Sequence, residues 1–378
     1  VIKNGTFQKL GEKEIVEFYK TYIPAEIGSF ENIFYNGYHS MPPPPPPPGL
    51  TNNNIISNNE NKKSSIIILK DTLEALDYEP VFKQRRRFKN AKKIVKIFDD
   101  KLTEIPFELF DTLGVEILSI GSSNLTYISD KLFQLNRLVS LDIRCSKCTS
   151  LADSFQNLPN IDRMQLRLIN VGKLPESIGK LENLTELTLR VKDDAIPTSI
   201  SNLKSLKTLS LYADSLSYLN EAVSKIPILE NLLLYSTIKE SQPINEVIIN
   251  GEFKSLKHLL IENITIPSIQ NFPNLNILKA QNCEMQNDFF HKNIKLKNVS
   301  IRDQEVQNIP DSLFDLPYLE QLSIMLNDVE QYPSIDDFLK LSRLKSLYFL
   351  VHSRNLLEQK KNLRTELNKI KNLKFEIY

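Results

Sequence analysis

Residues Ile161–Leu181 read IDRMQLRLINVGKLPESIGKL, and residues Leu184–Leu203 read LTELTLRVKDDAIPTSISNL. The two stretches share one unit of about 23 residues, in which Leu-x-x-Leu-x-Leu is followed by a short loop and Ile/Leu-Pro-x-x-Ile-x-x-Leu. A repeat of this period is typical of a solenoid, whose units contact only their neighbours. The pattern therefore predicts stacked repeats, and it directs the functional question toward binding rather than catalysis.

The unit recurs from residue 92 to the C-terminus. Apolar residues at its first, fourth and sixth positions predict a short strand that turns alternate side chains into one core. The proline lies beyond the strand, on the outer side of the solenoid. We therefore expect about twelve repeats and a terminal strand over residues 92–378. The repeats open at Lys92, Val115, Leu138, Ile161, Leu184, Leu206, Leu229, Leu256, Leu275, Leu296, Leu319 and Leu344, and the terminal fragment opens at Leu373.

Leu174–Leu184 (LPESIGKLENL) resembles, without a gap, the LPxxIGxLxxL half-motif of intracellular and bacterial leucine-rich repeats. The resemblance covers about residues 92–378. It implies an α/β solenoid, a curved horseshoe with a parallel sheet on its concave face and short helices, 3-10 turns or extended segments on its convex face. The family normally has Asn or Cys at the ninth position of the unit. Only Cys283 and Asn327 fit, so we expect a weak ladder of side-chain hydrogen bonds there, with irregular loops.

Three segments precede the repeats. Residues 1–40 form an N-terminal segment, in which Gly11–Ile23 has the apolar spacing of a helix and Ile23–Ile33 resembles a stray half-repeat. Residues 41–65 are of low complexity, and the run Pro42–Pro48 predicts an extended polyproline rod. We interpret this run as a spacer, with a ligand for an SH3, WW or profilin-type groove as the alternative. Residues 66–91 predict an N-terminal cap with a basic, solvated loop.

Composition excludes several classes of function. A formal net charge of +1 creates no global field to attract nucleic acid or an anionic membrane. The chain lacks an apolar run long enough to span a bilayer. Three cysteines are too few for a disulfide framework, so Cys145 and Cys148 are interpreted as two structural thiols rather than as a metal or redox site. We expect a cytoplasmic protein, with secretion as the alternative because the sequence starts at Val1 without an initiator Met.

The exposed positions of the predicted strands indicate the binding surface. The seventh position of successive repeats carries three arginines and then two tyrosines, residue types that are enriched at binding hot spots. We expect this stripe to bind an acidic or phosphorylated protein or peptide. The alternative is an ordinary solvated face whose charges pair with Asp142, Asp162 and Glu186. The stripe consists of Arg144, Arg167, Arg190, Tyr212 and Tyr235, with Arg163 and Gln165 beside it.

The sequence contains no recognisable catalytic, cofactor or metal constellation. His258 and Glu262 fall on one predicted face and could exchange protons, but no nucleophile accompanies them, so His258 is interpreted as structural. Neither a Gly-rich phosphate loop nor HExxH occurs. The sequence therefore predicts a non-catalytic interaction scaffold without a cofactor. Two alternatives stay open: a targeting or regulatory segment of a larger enzyme, such as a ligase or a GTPase-linked protein, and a surface or secreted adhesin.

Overall fold

The repeats form one long sheet. The computed structural model describes residues 2–3, 6–7, 66–70, 93–98, 103, 105, 114–192, 195–213, 218–236, 245–290, 295–303, 309–326, 333–351, 357–368 and 373–377. Fourteen strands of this part of the chain lie in the sheet in the order in which they occur in the sequence. They are β1 Ile66–Lys70, β2 Lys93–Phe98, β3 Ile117–Ser122, β4 Ser140–Cys145, β5 Arg163–Arg167, β6 Glu186–Arg190, β7 Thr208–Ala213, β8 Asn231–Ser236, β9 His258–Glu262, β10 Ile277–Gln281, β11 Asn298–Asp303, β12 Gln321–Leu326, β13 Ser346–Val351 and β14 Lys374–Ile377.

All neighbouring strands from β2 to β14 pair in parallel, and each begins one or two residues after a predicted repeat opening. Within β4, Leu141 and Ile143 are buried, whereas Asp142 and Arg144 lie on the opposite face. This alternation follows from the two-residue period of a strand. The buried residues form one continuous core from Ile105 to Ile377. The predicted leucine-rich-repeat solenoid is thereby confirmed.

The N-terminal edge of the sheet differs from the rest. Strand β1 pairs antiparallel with β2, so the first repeat strand has a neighbour on both sides. Ile2–Lys3 and Thr6–Phe7 pair antiparallel in a small separate sheet. The predicted helix over residues 11–23, the proline run and the basic loop lie outside the described residues, so the division of residues 1–91 into segments stays a prediction.

Short helical turns cover the convex side. Pro175, Pro197 and Pro310 each come directly before a 3-10 helix, a position at which the missing proline N–H costs no hydrogen bond. Their buried residues, such as Ile178 and Ile200, join the common core. The 3-10 helices that are described in full span Asp130–Gln134, Phe155–Asn157, Glu176–Lys180, Thr198–Asn202 and Asp311–Asp315.

Three α-helices and several two-residue strand pairs complete the outer side in the part of the chain that the structure describes. The helices are α1 Glu221–Ser224, α2 Ile335–Lys340 and α3 Leu357–Leu367. Ser334 caps α2 through a reciprocal pair of hydrogen bonds with Asp337. Helix α3 precedes the final strand and buries Leu363 and Leu367 in the core. The small parallel pairs are Tyr127–Ile128 with Ser150–Leu151, Tyr218–Leu219 with Ile248–Ile249, and Asn245–Glu246 with Ile264–Thr265.

A ladder of side-chain hydrogen bonds links successive repeats at a column that the sequence did not indicate. It lies directly before four of the repeat openings, not at the ninth position. The side-chain amides of Asn160 and Asn183 donate to the carbonyl oxygens of Asn136 and Pro159 at 2.8 and 2.7 Å. Asn274 and Ser255 repeat this contact with Lys254 and Pro227, each at 2.7 Å. These bonds satisfy loop carbonyl groups that would otherwise depend on water.

The interpretation of Cys145 and Cys148 as separate thiols is wrong. The two residues form a disulfide, with their Cα atoms 5.6 Å apart. Cys145 ends β4 and points into the core, and the tight turn that follows returns Cys148 to the same buried site. The bond can form because both side chains face inward within one turn. The count of cysteines did not indicate it, because a single bond within one turn is not a disulfide framework. Cys283 is buried and is the free cysteine of the described residues.

A substitution at Gly179 tests the close contact between neighbouring turns on the convex side. A Cβ atom on Gly179 would lie 2.2 Å from the carbonyl oxygen of Ser199 in the next repeat. We expect Gly179→Ala to lower the free energy of unfolding by about 1–3 kcal/mol, because backbone must move to admit the methyl group. Gly172→Ala is the matched control, since a Cβ there meets nothing within 4 Å. Urea denaturation measures both, and equal stability of the two variants would contradict the contact.

Candidate binding surface on the concave sheet

The predicted stripe is continuous on the concave face. Strand pairing sets Arg144 beside Arg167, Arg167 beside Arg190, Arg190 beside Tyr212 and Tyr212 beside Tyr235. Neighbouring strands of a sheet are about 4.8 Å apart, so the five residues span roughly 19 Å. All five side chains are half-buried. The same row continues through Glu262, Gln281 and Arg302.

The arginines of the stripe lie among hydrogen-bond acceptors. Arg144 contacts Asp142 on its own strand, with Nη2 3.0 Å and Nε 3.2 Å from Oδ2. Arg163 contacts Glu186 on the next strand, with Nε 3.1 Å from Oε2 and Nη2 3.2 Å from Oε1. These are the carboxylates that the solvated-face alternative named. The face is therefore a mixed network of charges rather than a bare row of cations.

Gln165 holds the next arginine. With its side-chain amide turned so that the oxygen faces Arg167, Gln165 accepts hydrogen bonds from Nε and Nη2 of Arg167 at 2.7 Å each. The two residues are separated by one position on β5, so both point to the concave side. A guanidinium held at two nitrogens has a defined orientation.

The two tyrosines form a stacked pair. The ring centroids of Tyr212 and Tyr235 are 4.4 Å apart, and the ring planes differ by 6°. Direct pairing of the residues in the parallel strands β7 and β8 forces this arrangement, because both side chains leave their strands in the same direction. The stack is a rigid aromatic surface next to Arg190.

An apolar cluster follows the tyrosines on the same face. Leu233 and Leu260 occupy a position that is polar in the preceding strands, and they form a cluster separate from the main core. Only 1% of Leu233 and 8% of Leu260 is exposed, because Tyr235 and Ile277 pack over them. The sequence carries a signal for this cluster: Leu232–Leu234 and Leu259–Ile261 are apolar runs of three, whereas strands β4 to β6 alternate. Leu233, Tyr235, Leu260, Ile277 and Lys279 are called the central patch below.

Lys279 is the cation of the central patch. It lies beside Leu260 in the strand register and is half-buried. Burial disfavours the ammonium form and lowers the pKa of Lys279 to about 8. Burial likewise raises the pKa of Glu262, and the charge of Arg302 acts in the opposite direction. Glu262 and Lys279, in the middle of the concave face, are therefore both shielded from water.

His258 takes part in a hydrogen-bonded row, as its structural interpretation implies. Its Nδ1 is 2.6 Å from the side-chain oxygen of Asn231, and the Asn231 amide donates to the hydroxyl of Thr208 at 3.0 Å. Burial lowers the pKa of His258, partly offset by the charge of Glu230. Within the described residues, the structure contains no group of three or more potential metal ligands. The helices it describes include none long and apolar enough to cross a membrane.

The leucine repeat and the parallel sheet define the protein as a leucine-rich-repeat solenoid. No protein-family model and no curated protein matches the chain. Among solved structures, a leucine-rich-repeat protein of Leptospira interrogans is similar with a TM-score of 0.36 and 18% identity, over 71% of this chain and 85% of that one. The plant peptide hormone receptor RGFR1, solved in complex with RGF2, is similar with a TM-score of 0.36 and 16% identity, over 72% of this chain and 53% of the receptor chain. Likenesses this weak carry no argument, so the class is established by the repeat and the sheet.

The titration of Lys279 tests whether water is excluded from its ammonium group in the central patch. We expect its side-chain NMR signal to titrate with a midpoint near pH 8, because the pKa is about 8. Leu260→Asn should raise that midpoint, since a polar neighbour hydrates the ammonium group. At pH values between the folded pKa of Lys279 and its ordinary pKa near 10.5, Lys279 binds more protons in the unfolded chain than in the folded protein. The free energy of unfolding should therefore rise with pH in this range. Lys279→Arg assigns the signal, and an ordinary midpoint for Lys279 would contradict the description.

Proposed function

We propose that this protein is a non-catalytic scaffold that binds a protein or peptide on its concave face, at an acidic or phosphorylated surface of the partner. Arg144, Arg167, Arg190, Tyr212 and Tyr235 form the contact stripe. Arg163 and Gln165 support the stripe from β5. The observation that carries the proposal is the unbroken strand register, which supports one surface built from five neighbouring repeats. Arginine and tyrosine are the residue types that dominate binding energy at such surfaces.

The ion pairs of the face are compatible with an acidic ligand. In the Arg144–Asp142 pair the side chains are 25% and 14% exposed, and in the Arg163–Glu186 pair 21% and 36%. Pairs that remain in contact with water contribute little to stability, commonly below about 1 kcal/mol. A carboxylate or phosphate of a partner could therefore share these guanidinium groups at small cost. The resident acids also limit repulsion between the arginines before the partner binds.

A three-residue variant tests the stripe. The full chain and the Arg144→Ala, Arg167→Ala, Arg190→Ala variant serve as baits for partners from lysate of the source cells. We expect captured partners to bind the variant about tenfold more weakly or worse, because three charge-assisted contacts are removed. Phosphatase treatment of the lysate separates phosphorylated partners from acidic ones. Circular dichroism verifies the fold of each bait.

The matched control removes the same charge elsewhere. Arg137, Lys204 and Arg343 are exposed and lie before repeat openings rather than on the concave face. Their replacement by Ala should leave capture unchanged at equal ionic strength. Equal loss in the two triple variants would mean that only net charge matters, and undiminished capture by the stripe variant would refute the stripe.

The disulfide favours a second candidate function, that of a surface or secreted adhesin. Disulfides persist in oxidising compartments and are rare in the cytosol, where thiols are kept reduced. The expected cytoplasmic location is therefore also a proposal that needs a direct test. The larger-enzyme alternative has no comparable observation in its favour. A binding solenoid fits either location, so the compartment decides only which partners are available.

The thiol state in the source cells separates the two locations. Alkylation before lysis, followed by mass spectrometry of the denatured protein, reports each cysteine. If the protein is secreted or surface-exposed, we expect Cys283 to be alkylated while Cys145 and Cys148 remain bonded. In a reducing cytosol all three should be alkylated, and that outcome would exclude the adhesin candidate. A reduced and re-alkylated sample controls for access of the reagent to the buried residues.

A further inference from the structure

The central patch is an apolar surface on the side of the sheet that faces away from the core. Along its row from β2 to β14, the residues before it are Lys96, Ser119, Asp142, Gln165, Thr188 and Ser210, and those after Lys279 are Ser300, Ser323, Tyr348 and Glu376. Leu233 and Leu260 are thus the two aliphatic residues of this row between β2 and β14. The main core gains nothing from Leu233 and Leu260, because they cluster separately from it. An apolar area with a polar rim is typical of an interaction surface.

A cation lies on each side of this apolar surface. Arg190 is one strand before Tyr212, and Lys279 is one strand after Leu260. Four strand intervals of about 4.8 Å separate Arg190 from Lys279, or roughly 19 Å. An extended peptide advances about 3.3–3.6 Å per residue, so five or six residues span that distance. The stacked rings of Tyr212 and Tyr235 lie between the two cations.

Charge complementarity fixes the chemistry of the occupant. Lys279 carries its ammonium group in surroundings that Leu260 and Ile277 make apolar, and a carboxylate is the group that stabilises such a cation. Glu262 lies in the row of Arg190, one strand before Lys279, and burial already raises its pKa. A second acid opposite Glu262 would be repelled, so the middle of the occupant must be uncharged.

We infer that the central patch, together with Arg190, binds an extended peptide segment that has one apolar side chain between two acidic residues five or six positions apart. The apolar side chain contacts Tyr235 and Ile277, which cover Leu260, and the acidic residues contact Arg190 and Lys279. The segment runs across the strands, along the length of the solenoid. This inference rests on the proposed function and specifies the ligand of the same concave face.

A displayed library of random 12-residue peptides, selected on the full chain, provides the probe. We expect the selected peptides to share an aromatic or aliphatic residue with Asp or Glu about two to four positions away on each side. An unrelated solenoid removes non-specific binders. Selection of no peptide above that background, or of peptides without flanking acids, would overturn the inference.

A charge swap tests the Lys279 contact directly. A fluorescein-labelled synthetic copy of a selected peptide is titrated against Lys279→Glu, and fluorescence polarisation should report at least about tenfold weaker binding. Replacing the matching acidic residue of the peptide by Lys should restore affinity for Lys279→Glu and weaken binding to the unmodified protein. The control is Lys297→Glu, which reverses an exposed lysine at the edge of β11 and should change the affinity less than twofold. Absence of rescue would overturn the assignment of Lys279.

The apolar contact has its own pair of variants. Ile277→Ser should weaken the same peptide by about tenfold, whereas Ile228→Ser, at an exposed isoleucine off the concave face, should not. One outcome would reject the central patch and leave the proposed function standing. In that outcome, the Arg144→Ala, Arg167→Ala, Arg190→Ala variant loses binding, whereas Lys279→Glu and Ile277→Ser keep it. Loss with the central-patch variants supports the inference, and persistence of binding in every variant would reject both.

Discussion

Each repeat of this protein buries its leucines against the repeat on either side, and the parallel backbone ladder between successive strands holds that contact in register. Residues such as Leu187 lie between their equivalents Met164 and Leu209, so no repeat completes its own core. The Asn column before three of the openings and the close approach at Gly179 reinforce the same contact between neighbours. Stability is consequently a sum of neighbour terms along the array, as expected for a solenoid.

The same register constraint builds the concave surface. Because each strand is paired position by position with the next, residues that are 22 or 23 positions apart in the sequence become neighbours on the sheet, as in the pair Tyr212 and Tyr235. A single side chain has little area, but a row of them forms a surface long enough for an extended ligand. The arginines are held by Asp142, Gln165 and Glu186, which orient the guanidinium groups before a partner arrives. Such preorganisation lowers the entropy that binding must overcome.

The concave face is electrostatically uneven along its length. Around β4–β6 the side chains of its ion pairs are 14–36% exposed, and nearby acids balance the arginines, so these charges interact in partial contact with water. Around β8–β10, Leu233 and Leu260 remove water from the neighbourhood of Glu262 and Lys279, and the pKa values of these two groups move in opposite directions for that reason. The two regions therefore favour different ligand groups: charge at the first, and an apolar group beside a single charge at the second.

The sequence by itself determined the repeat period, the thirteen strand openings and the row Arg144, Arg167, Arg190. Side chains of a strand alternate between its two faces, so a fixed repeat leaves only one assignment of residues to the faces. Only the tertiary structure decided how deeply each residue on a face is buried and which groups it contacts. Leu260 occupies a concave position, yet it is buried because Ile277 and Tyr235 are large enough to cover it. The Cys145–Cys148 bond arose from the shape of one turn, and the Asn column from loop carbonyls of the preceding repeat. Burial and bonding depend on the distance and size of neighbours, which a linear pattern does not contain.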